Sequence, residues 1–311
     1  MATIHYDPRW SGPHGIGRFA DEVIARLPGA APLRIGAARL SVLDPLATTL
    51  AARRLREGVY FTPGFNPPLR SGVPFVFCIH DLIHLRFAGE STPLRRAYYR
   101  LVVGPAAQRA ARVLTVSEHA RGEILAWTKL PPGRVTVVGN GVSAAFRPEG
   151  PRHEPGFPYF LHVGRRAAHK NVERLVAAHA ASRCGREVRL LFTGELDDAQ
   201  LAAQYRGALA LVFPSLYEGF GLPIVEAMAC GTPVLTSNAT AMPETAGEGN
   251  ALIADPLSIE ALAAAMDRLA EDAALRADLR QRGLMRARAF SWDRVAEKTA
   301  NALRAAGWQA G

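Results

Sequence analysis

Glu218 and Glu226 are separated by seven residues within Phe213-Pro-Ser-Leu-Tyr-Glu-Gly-Phe-Gly-Leu-Pro-Ile-Val-Glu-Ala-Met-Ala-Cys-Gly-Thr-Pro-Val-Leu235. An apolar strand ends at Phe213, and a loop with Gly219 and Gly221 turns into a helix that has Pro223 near its first position. Glycines let the backbone approach a ligand closely, and a helix start offers unpaired N–H groups and positive dipole charge to a phosphate. Two carboxylates beside such a turn would repel a phosphate unless they bind something else. Sugar and ribose hydroxyls are the natural candidates; a cap plus an ordinary surface glutamate is the structural alternative.

Two shorter signals lie in the first half. Gly15-Ile-Gly17 follows the first strand, and Cys78-Ile-His-Asp81 ends another. A lone Gly-x-Gly after a strand also reads as a structural turn, and His80 also reads as a satisfied core histidine. Asp197 and Asp198 are adjacent and open a helix, so an N-cap with a first-turn acid accounts for them as well as any ligand does. No strand-flanked Asp-x-Asp is present, and no bound metal is expected.

Short apolar strands alternate with amphipathic helices, which is the pattern of parallel sheets covered on both faces. The expected strands of the first half are Thr3–Tyr6, Leu33–Ile35, Val59–Phe61, Pro74–Ile79, Val113–Val116 and Val135–Val138, with helices up to Leu27 and near 46–56, 94–111 and 118–127. Gly104-Pro105 should kink or break the 94–111 helix. A Pro- and Gly-rich stretch over 148–158 reads as a linker. The alternation restarts at Tyr159 and ends in three helices around 258–271, 273–288 and 291–306. The expected organisation is a Rossmann-like domain over 1–150, a second over 151–290, and a terminal helix over 291–311. Ligand loops should lie at the carboxyl ends of the parallel strands.

The Glu218/Glu226 pair with its Gly-Phe-Gly-Leu-Pro and Ala-Cys-Gly-Thr-Pro-Val flanks resembles the GT4 retaining glycosyltransferases of GT-B fold. Phe160-Leu-His-Val-Gly-Arg-Arg-Ala-Ala-His-Lys-Asn171 is similar to that family's Gly-Arg and Lys-Asn motif, Val113-Leu-Thr-Val-Ser-Glu-His-Ala to its strand-to-helix turn, and Phe290-Ser-Trp-Asp to the start of its terminal helix. The resemblance implies two Rossmann-like domains with parallel sheets facing a cleft, and a last helix crossing back to the first domain. It implies a hexosyltransferase using a nucleotide diphosphate sugar as co-substrate, with no cofactor and no metal. Arg165 and Lys170 would hold the diphosphate, where fixed cations stabilise the charge that develops on the leaving phosphate. Lys170 is one of three lysines among 37 cationic residues, so composition alone would not have put lysine there. Glu226 would hold the ribose, Glu218 the donor sugar, and Gly164, Phe220, Gly221 and Leu222 would line sugar and phosphate. Gly15 and Gly17 would close on donor phosphate or acceptor, and His80 would touch the transferring sugar. Asp197 and Asp198 would read the base, guanine being favoured. Ile79-His-Asp-Leu-Ile83 is similar to bacterial mannosyltransferases of polysaccharide assembly, which makes a mannosyl donor and a glycan or lipid-linked acceptor the expectation. One departure is visible: between the helix at 172–182 and Gly194, a strand and a helix common in relatives are missing.

Rival readings fit less well. A nucleotide-sugar epimerase would need more acid–base residues near the sugar, a phosphorylase would need a pyridoxal lysine, and a non-catalytic binding subunit would not need Arg165, Lys170, Glu218 and Glu226 intact. The formal charge of +9 lies entirely within residues 1–150. No aromatic–basic stacking motif accompanies it, so nucleic acid is not an expected partner. Arg95, Arg96, Arg100, Arg109 and Arg112 accompany Tyr98, Tyr99, Leu101, Val102 and Val103, the composition of an interfacial helix on an anionic membrane; a core helix with a solvated Arg face is the alternative. Met1–Pro8 lacks a secretion signal, no apolar run nears the ~20 residues of a span, and Cys78, Cys184 and Cys230 have no paired spacing. A cytoplasmic protein, peripheral on the inner face of the membrane, is the expected setting.

Overall fold

Apolar side chains alternate between the two faces of each strand, so both sheets require cover on both sides. The computed structural model describes residues 3–309. In the first half these are β1 (Ile4–Tyr6), α1 (Gly15–Ile24), β2 (Ala30–Pro32), α2 (Asp44–Arg53), β3 (Val59–Thr62), β4 (Phe75–Cys78), α3 (Ile83–Arg86), α4 (Pro93–Tyr98), α5 (Gly104–Arg109), β5 (Arg112–Thr115), α6 (Glu118–Thr128) and β6 (Val135–Val137). The second half holds β7 (Tyr159–His162), α7 (Val172–Ala181), β8 (Arg189–Phe192), α8 (Asp198–Gly207), β9 (Ala210–Phe213), α9 (Leu222–Ala229), β10 (Val234–Ser237), α10 (Met242–Ala246), β11 (Leu252–Ala254), α11 (Ile259–Glu271), α12 (Ala273–Ala287) and α13 (Trp292–Ala305).

The chain divides into two compact units. The first runs to Gly141 and is completed by the residues from Trp292 onward; the second is Val142–Ser291. In the first unit six parallel strands run in the order β2-β1-β3-β4-β5-β6. Ile4, Phe61, Val76 and Leu114 pack one face against Phe19 and Val23 of α1 and Trp292 and Leu303 of α13. Tyr60, Phe77 and Val113 pack the other against Val103, Ala107 and Ile124. α13 is therefore a structural part of the first unit, tied further by Arg26 Nε donating to Asp293 at 2.6 Å. Gly141 permits its return, because a Cβ there would sit 2.6 Å from the Trp292 ring.

The second unit has five parallel strands in the order β11-β10-β9-β7-β8. Leu161, Leu211 and Phe213 face Tyr205, Ile224 and Met228, while Phe160, Val212 and Leu235 face Leu175, Leu262 and Met266. α7 connects to β8 through a single turn at Arg183–Arg186.

Three local expectations are corrected. The second strand is Ala30–Pro32, not Leu33–Ile35, because pairing with β1 ends where the Leu33 N–H meets the Tyr6 carbonyl. The 148–158 stretch lies inside the second unit, where Arg206 donates to the carbonyls of Pro151 and Arg147 and the His153 N–H donates to Ala203. Gly104-Pro105 does not break its helix. Pro105 lacks an N–H, and the preceding turn widens into a π-helical segment, Tyr99–Val103, with the Gly104 N–H donating to Tyr99.

Candidate active site

In an open parallel sheet the ligand crevice forms at the carboxyl ends of two neighbouring strands whose connections leave in opposite directions. In the second unit those strands are β7 and β9. Gly164, Arg165 and Lys170 follow β7; Glu218, Phe220 and Gly221 follow β9. The fold thus brings the two motifs to one sheet end from opposite sides.

The β9 loop is held from below by its neighbours. The Leu216 N–H donates to the His169 carbonyl at 2.7 Å, Asn171 Nδ2 to the Pro214 carbonyl at 3.1 Å, and Thr245 Oγ1 to the Phe220 carbonyl at 2.5 Å. The Glu218 N–H donates to Thr240 Oγ1 at 3.0 Å, and Thr240 itself has a φ of +49°. Gly221 caps α9 at φ +94°, a left-handed conformation open to glycine at little cost. Leu222 and Pro223 then open α9, whose first turn can face an anion.

Lys170 and Glu218 form an ion pair, Nζ to Oε1 at 2.6 Å, with both side chains mostly buried. Lys170 Nζ also lies 4.7 Å from the centre of the Phe213 ring. The Lys170 stem runs past Gly164 (φ +127°), where a Cβ would come within 3.3 Å of Cε. Arg165 is exposed on the same loop. Glu226 is different: it is 5% exposed on α9 and accepts a hydrogen bond from the buried Tyr205 hydroxyl at 3.0 Å. Phe220 is buried, with its ring edge-on to Phe290.

Beneath the pair lies His162, the last residue of β7, which sequence reasoning passed over. Its Nδ1–H donates to the Val212 carbonyl at 2.9 Å, and its ring stacks on Phe213. Burial, aided by the Lys170 charge, lowers its pKa to about 4, so the imidazole is neutral near pH 7. A histidine interrupting an otherwise apolar β7 was the available signal. Tyr205 and Thr240 had none, since each acquires its meaning from a partner more than a turn away.

Asp197 is a helix cap. Its carboxylate accepts from the Gln200 N–H at 2.8 Å, while Gln200 Oε1 accepts the Asp197 N–H at 3.1 Å, a reciprocal capping box at the start of α8. The cap engages one of its carboxylate oxygens, Oδ1, and Asp198 stands in the same first turn.

In the first unit, Gly15 and Gly17 open α1, and His14 caps it by accepting the Gly17 N–H at 2.8 Å. A Cβ on Gly17 would run into the Gly12 carbonyl, so this glycine serves close packing. His80 is partly buried beyond β4. Its Nε2–H donates to the Pro63 carbonyl at 2.8 Å, and its ring meets Phe19 edge-on. Burial lowers its pKa to about 4, leaving a neutral ring whose Nδ1 is an acceptor. At the β1/β3 switch point sits a buried polar network absent from the sequence reading. Arg9 bridges Asp7 (2.6 Å) and Asp44 (2.8 Å), and Asn66 donates to Asp7 at 2.9 Å. Burial opposes the Arg9 charge, yet the two carboxylates hold its pKa above the ordinary value.

Residues 10–146 match the model described as Glycosyltransferase Family 4, and residues 179–285 match Glycosyl transferases group 1. O-antigen chain mannosyltransferase B of Escherichia coli is 30% identical over 88% of this chain and 80% of its own length. The chain belongs to the family 4 glycosyltransferases. A second relative of this glycosyltransferase, the serotype-specific mannosyltransferase WbdA of Escherichia coli, is 27% identical over 75% of this chain, which spans only 33% of that longer protein. Anabaena HepE, solved in complex with UDP and glucose, superposes with a TM-score of 0.75 at 16% identity, covering 98% of this chain and 100% of that one. The glycosyltransferase therefore has the GT-B fold, two Rossmann-like units with the last helix returned to the first.

Proposed function

We propose that the protein is a retaining hexosyltransferase that moves mannose from GDP-mannose to a glycan or lipid-linked acceptor in cell-surface polysaccharide synthesis. The observation that carries the reading is the Lys170–Glu218 pair at the β7/β9 switch point of a family 4 chain. Each side chain satisfies the other's charge without donor. A nucleotide diphosphate sugar offers each a better match: phosphate oxygens for Lys170, sugar hydroxyls for Glu218. Arg165 adds a second cation from the same loop.

In the reaction the bond between the sugar C1 and the β-phosphate oxygen breaks, and that oxygen gains negative charge that Lys170, Arg165 and the first turn of α9 stabilise. The acceptor hydroxyl attacks C1 from the same face, and its proton passes to the departing phosphate oxygen. Neither a protein base nor a metal is needed. Glu226, oriented by Tyr205, takes the ribose hydroxyls.

Mannose is supported by the relatives' names and by Ile79-His-Asp-Leu-Ile83. Because Asp197 is engaged in capping, GDP rests on that sugar preference and not on a base contact. The test is nucleotide release from GDP-mannose, UDP-glucose and a dTDP-sugar, with calorimetry of the three diphosphates. GDP-mannose should turn over fastest; UDP or dTDP binding at least about tenfold tighter than GDP would overturn the donor assignment.

The reading extends to an anionic membrane surface on the cytoplasmic side, met by the first unit. Arg95, Arg96 and Arg100 are exposed along α4 and the π-helical turn. Among the described residues no helix is long and apolar enough to cross a membrane.

A further inference from the structure

His14 and Arg39 bring two hydrogen-bond donors face to face. The Gly17 N–H donates to His14 Nδ1 at 2.8 Å, which makes Nδ1 the acceptor of the ring and puts its proton on Nε2. Arg39 Nη1 lies 3.2 Å from that Nε2. A guanidinium carries donors only. The contact is therefore not a hydrogen bond, and two N–H groups meet with no acceptor of the protein between them. Burial, aided by the Arg39 charge, lowers the His14 pKa below its ordinary value, so the ring is neutral near pH 7. A second proton would sit on Nδ1, against the Gly17 N–H.

Both side chains are held in this position. The Arg39 guanidinium stacks 4.3 Å from the centre of the Trp10 ring, and His14 meets the same ring edge-on at 6.5 Å. Trp10 is buried, and its indole N–H donates to Asn66 Oδ1, which ties it to the Asp7–Arg9–Asp44 network. Gly64 leaves room for the ring, because a Cβ there would come within 2.1 Å of it. The carboxylate of Asp21, whose charge also reaches His14, accepts the Gly12 N–H at 3.3 Å. Among the described residues no carboxylate pairs with Arg39.

Two converging donors, one of them cationic, are satisfied together by an anionic oxygen. A sugar hydroxyl would accept from one and press its own proton on the other. Arg39 keeps Nε and Nη2 for further oxygens, which a phosphate supplies and a single hydroxyl does not. The first turn of α1, capped by His14 itself, adds positive dipole charge. We propose that His14 Nε2 and Arg39 Nη1 bind a phosphate oxygen of the acceptor, so that the acceptor is a phosphate-bearing glycoside and not a neutral glycan. The inference rests on the donor reading above, in which Lys170, Arg165 and α9 of the second unit take the donor diphosphate and leave this pair to the other substrate.

Two variants of the full chain separate the donors from the fold. His14→Asn keeps an N-cap acceptor for α1 and removes the ring N–H, while Arg39→Gln removes the cation; far-UV circular dichroism should show both folded. In side-chain ¹⁵N spectra, the histidine that His14→Asn deletes should be the Nε2–H tautomer. With GDP in excess to fill the donor site, mannose 1-phosphate should shift that Nε2 resonance and bind at least about tenfold tighter than methyl α-mannoside. Either variant should erase the preference. Equal affinity for the two glycosides overturns the proposal, and so does an Nδ1–H tautomer. Mannose 1-phosphate that GDP displaces, with an affinity that neither variant changes, belongs to the donor site and also overturns it. The same titration without nucleotide keeps the two readings apart: a chain that binds no GDP but still prefers the phosphate at His14 loses the donor assignment and retains this site.

Discussion

Lys170 and Glu218 reach each other across the β7/β9 crevice and meet at 2.6 Å, each neutralising the other's charge. On the proposed reading the pair is a resting arrangement that a bound diphosphate sugar would open. Replacing either residue leaves the other charge mostly buried and unmatched and, on the proposed reading, removes one donor contact.

Glu218→Gln and Lys170→Ala should each lower kcat/KM for transfer by at least about 100-fold while the fold persists. Steady-state kinetics with far-UV circular dichroism as the folding control provides the check. Near wild-type turnover in either folded variant would remove the assignment.

Tyr205→Phe deletes only the hydroxyl that donates to Glu226. Loss of one hydrogen bond to a buried carboxylate costs about 1–3 kcal/mol. The expected result is a donor KM raised roughly fivefold or more with kcat little changed. A 2′,3′-dideoxy analogue of the preferred diphosphate isolates the cause, because wild type and variant should bind it alike. Equal loss for the analogue would make Tyr205 a packing residue.

His162 and His80 both have native pKa values near 4, below the ordinary 6.5. Between those limits the unfolded chain binds more protons than the folded one, so stability rises with pH across the window. It is complete above about 6.5 and is lost as pH falls toward 4, by up to about 3 kcal/mol per histidine. Melting temperatures from pH 7 to 4.5 should fall, and fall less steeply in His162→Gln. Identical slopes for the two proteins would show that the fold leaves the titration of His162 as it is in the unfolded chain.

Transfer should persist in excess EDTA, because on the proposed reading Lys170 and Arg165 neutralise the diphosphate without a divalent ion. Activity lost to EDTA and restored by Mg²⁺ or Mn²⁺ would refute this.

Strands and helices whose apolar period is local were readable to within a residue or two: β7, α7, β9 and α9 fall where their alternation and glycine punctuation put them. Edge strand β2 was displaced because a three-residue strand carries almost no period of its own. At the site, motif residues were legible as residues, but their relations were not. That Glu218 faces Lys170 while Glu226 faces Tyr205 depends on which neighbouring element each meets. The Asp7–Arg9–Asp44–Asn66 network joins positions as far as 59 residues apart, and no spacing rule announces it. Asp197 is the reverse case, since Asp-x-x-Gln before a helix already spelled out the cap.

The return of α13 to the first unit sets an order of events on the ribosome. One face of the first sheet is completed by Trp292, Val295 and Leu303, and the whole of Val142–Ser291 is translated before they appear. At about 5–20 residues per second that delay is roughly 8–30 s. The second unit is continuous in sequence and can close as soon as it emerges, whereas the first must keep Ile4, Phe19 and Phe61 from other partners in the meantime. Emergence of α13, and not completion of the amino-terminal sheet, is the step that finishes the amino-terminal half.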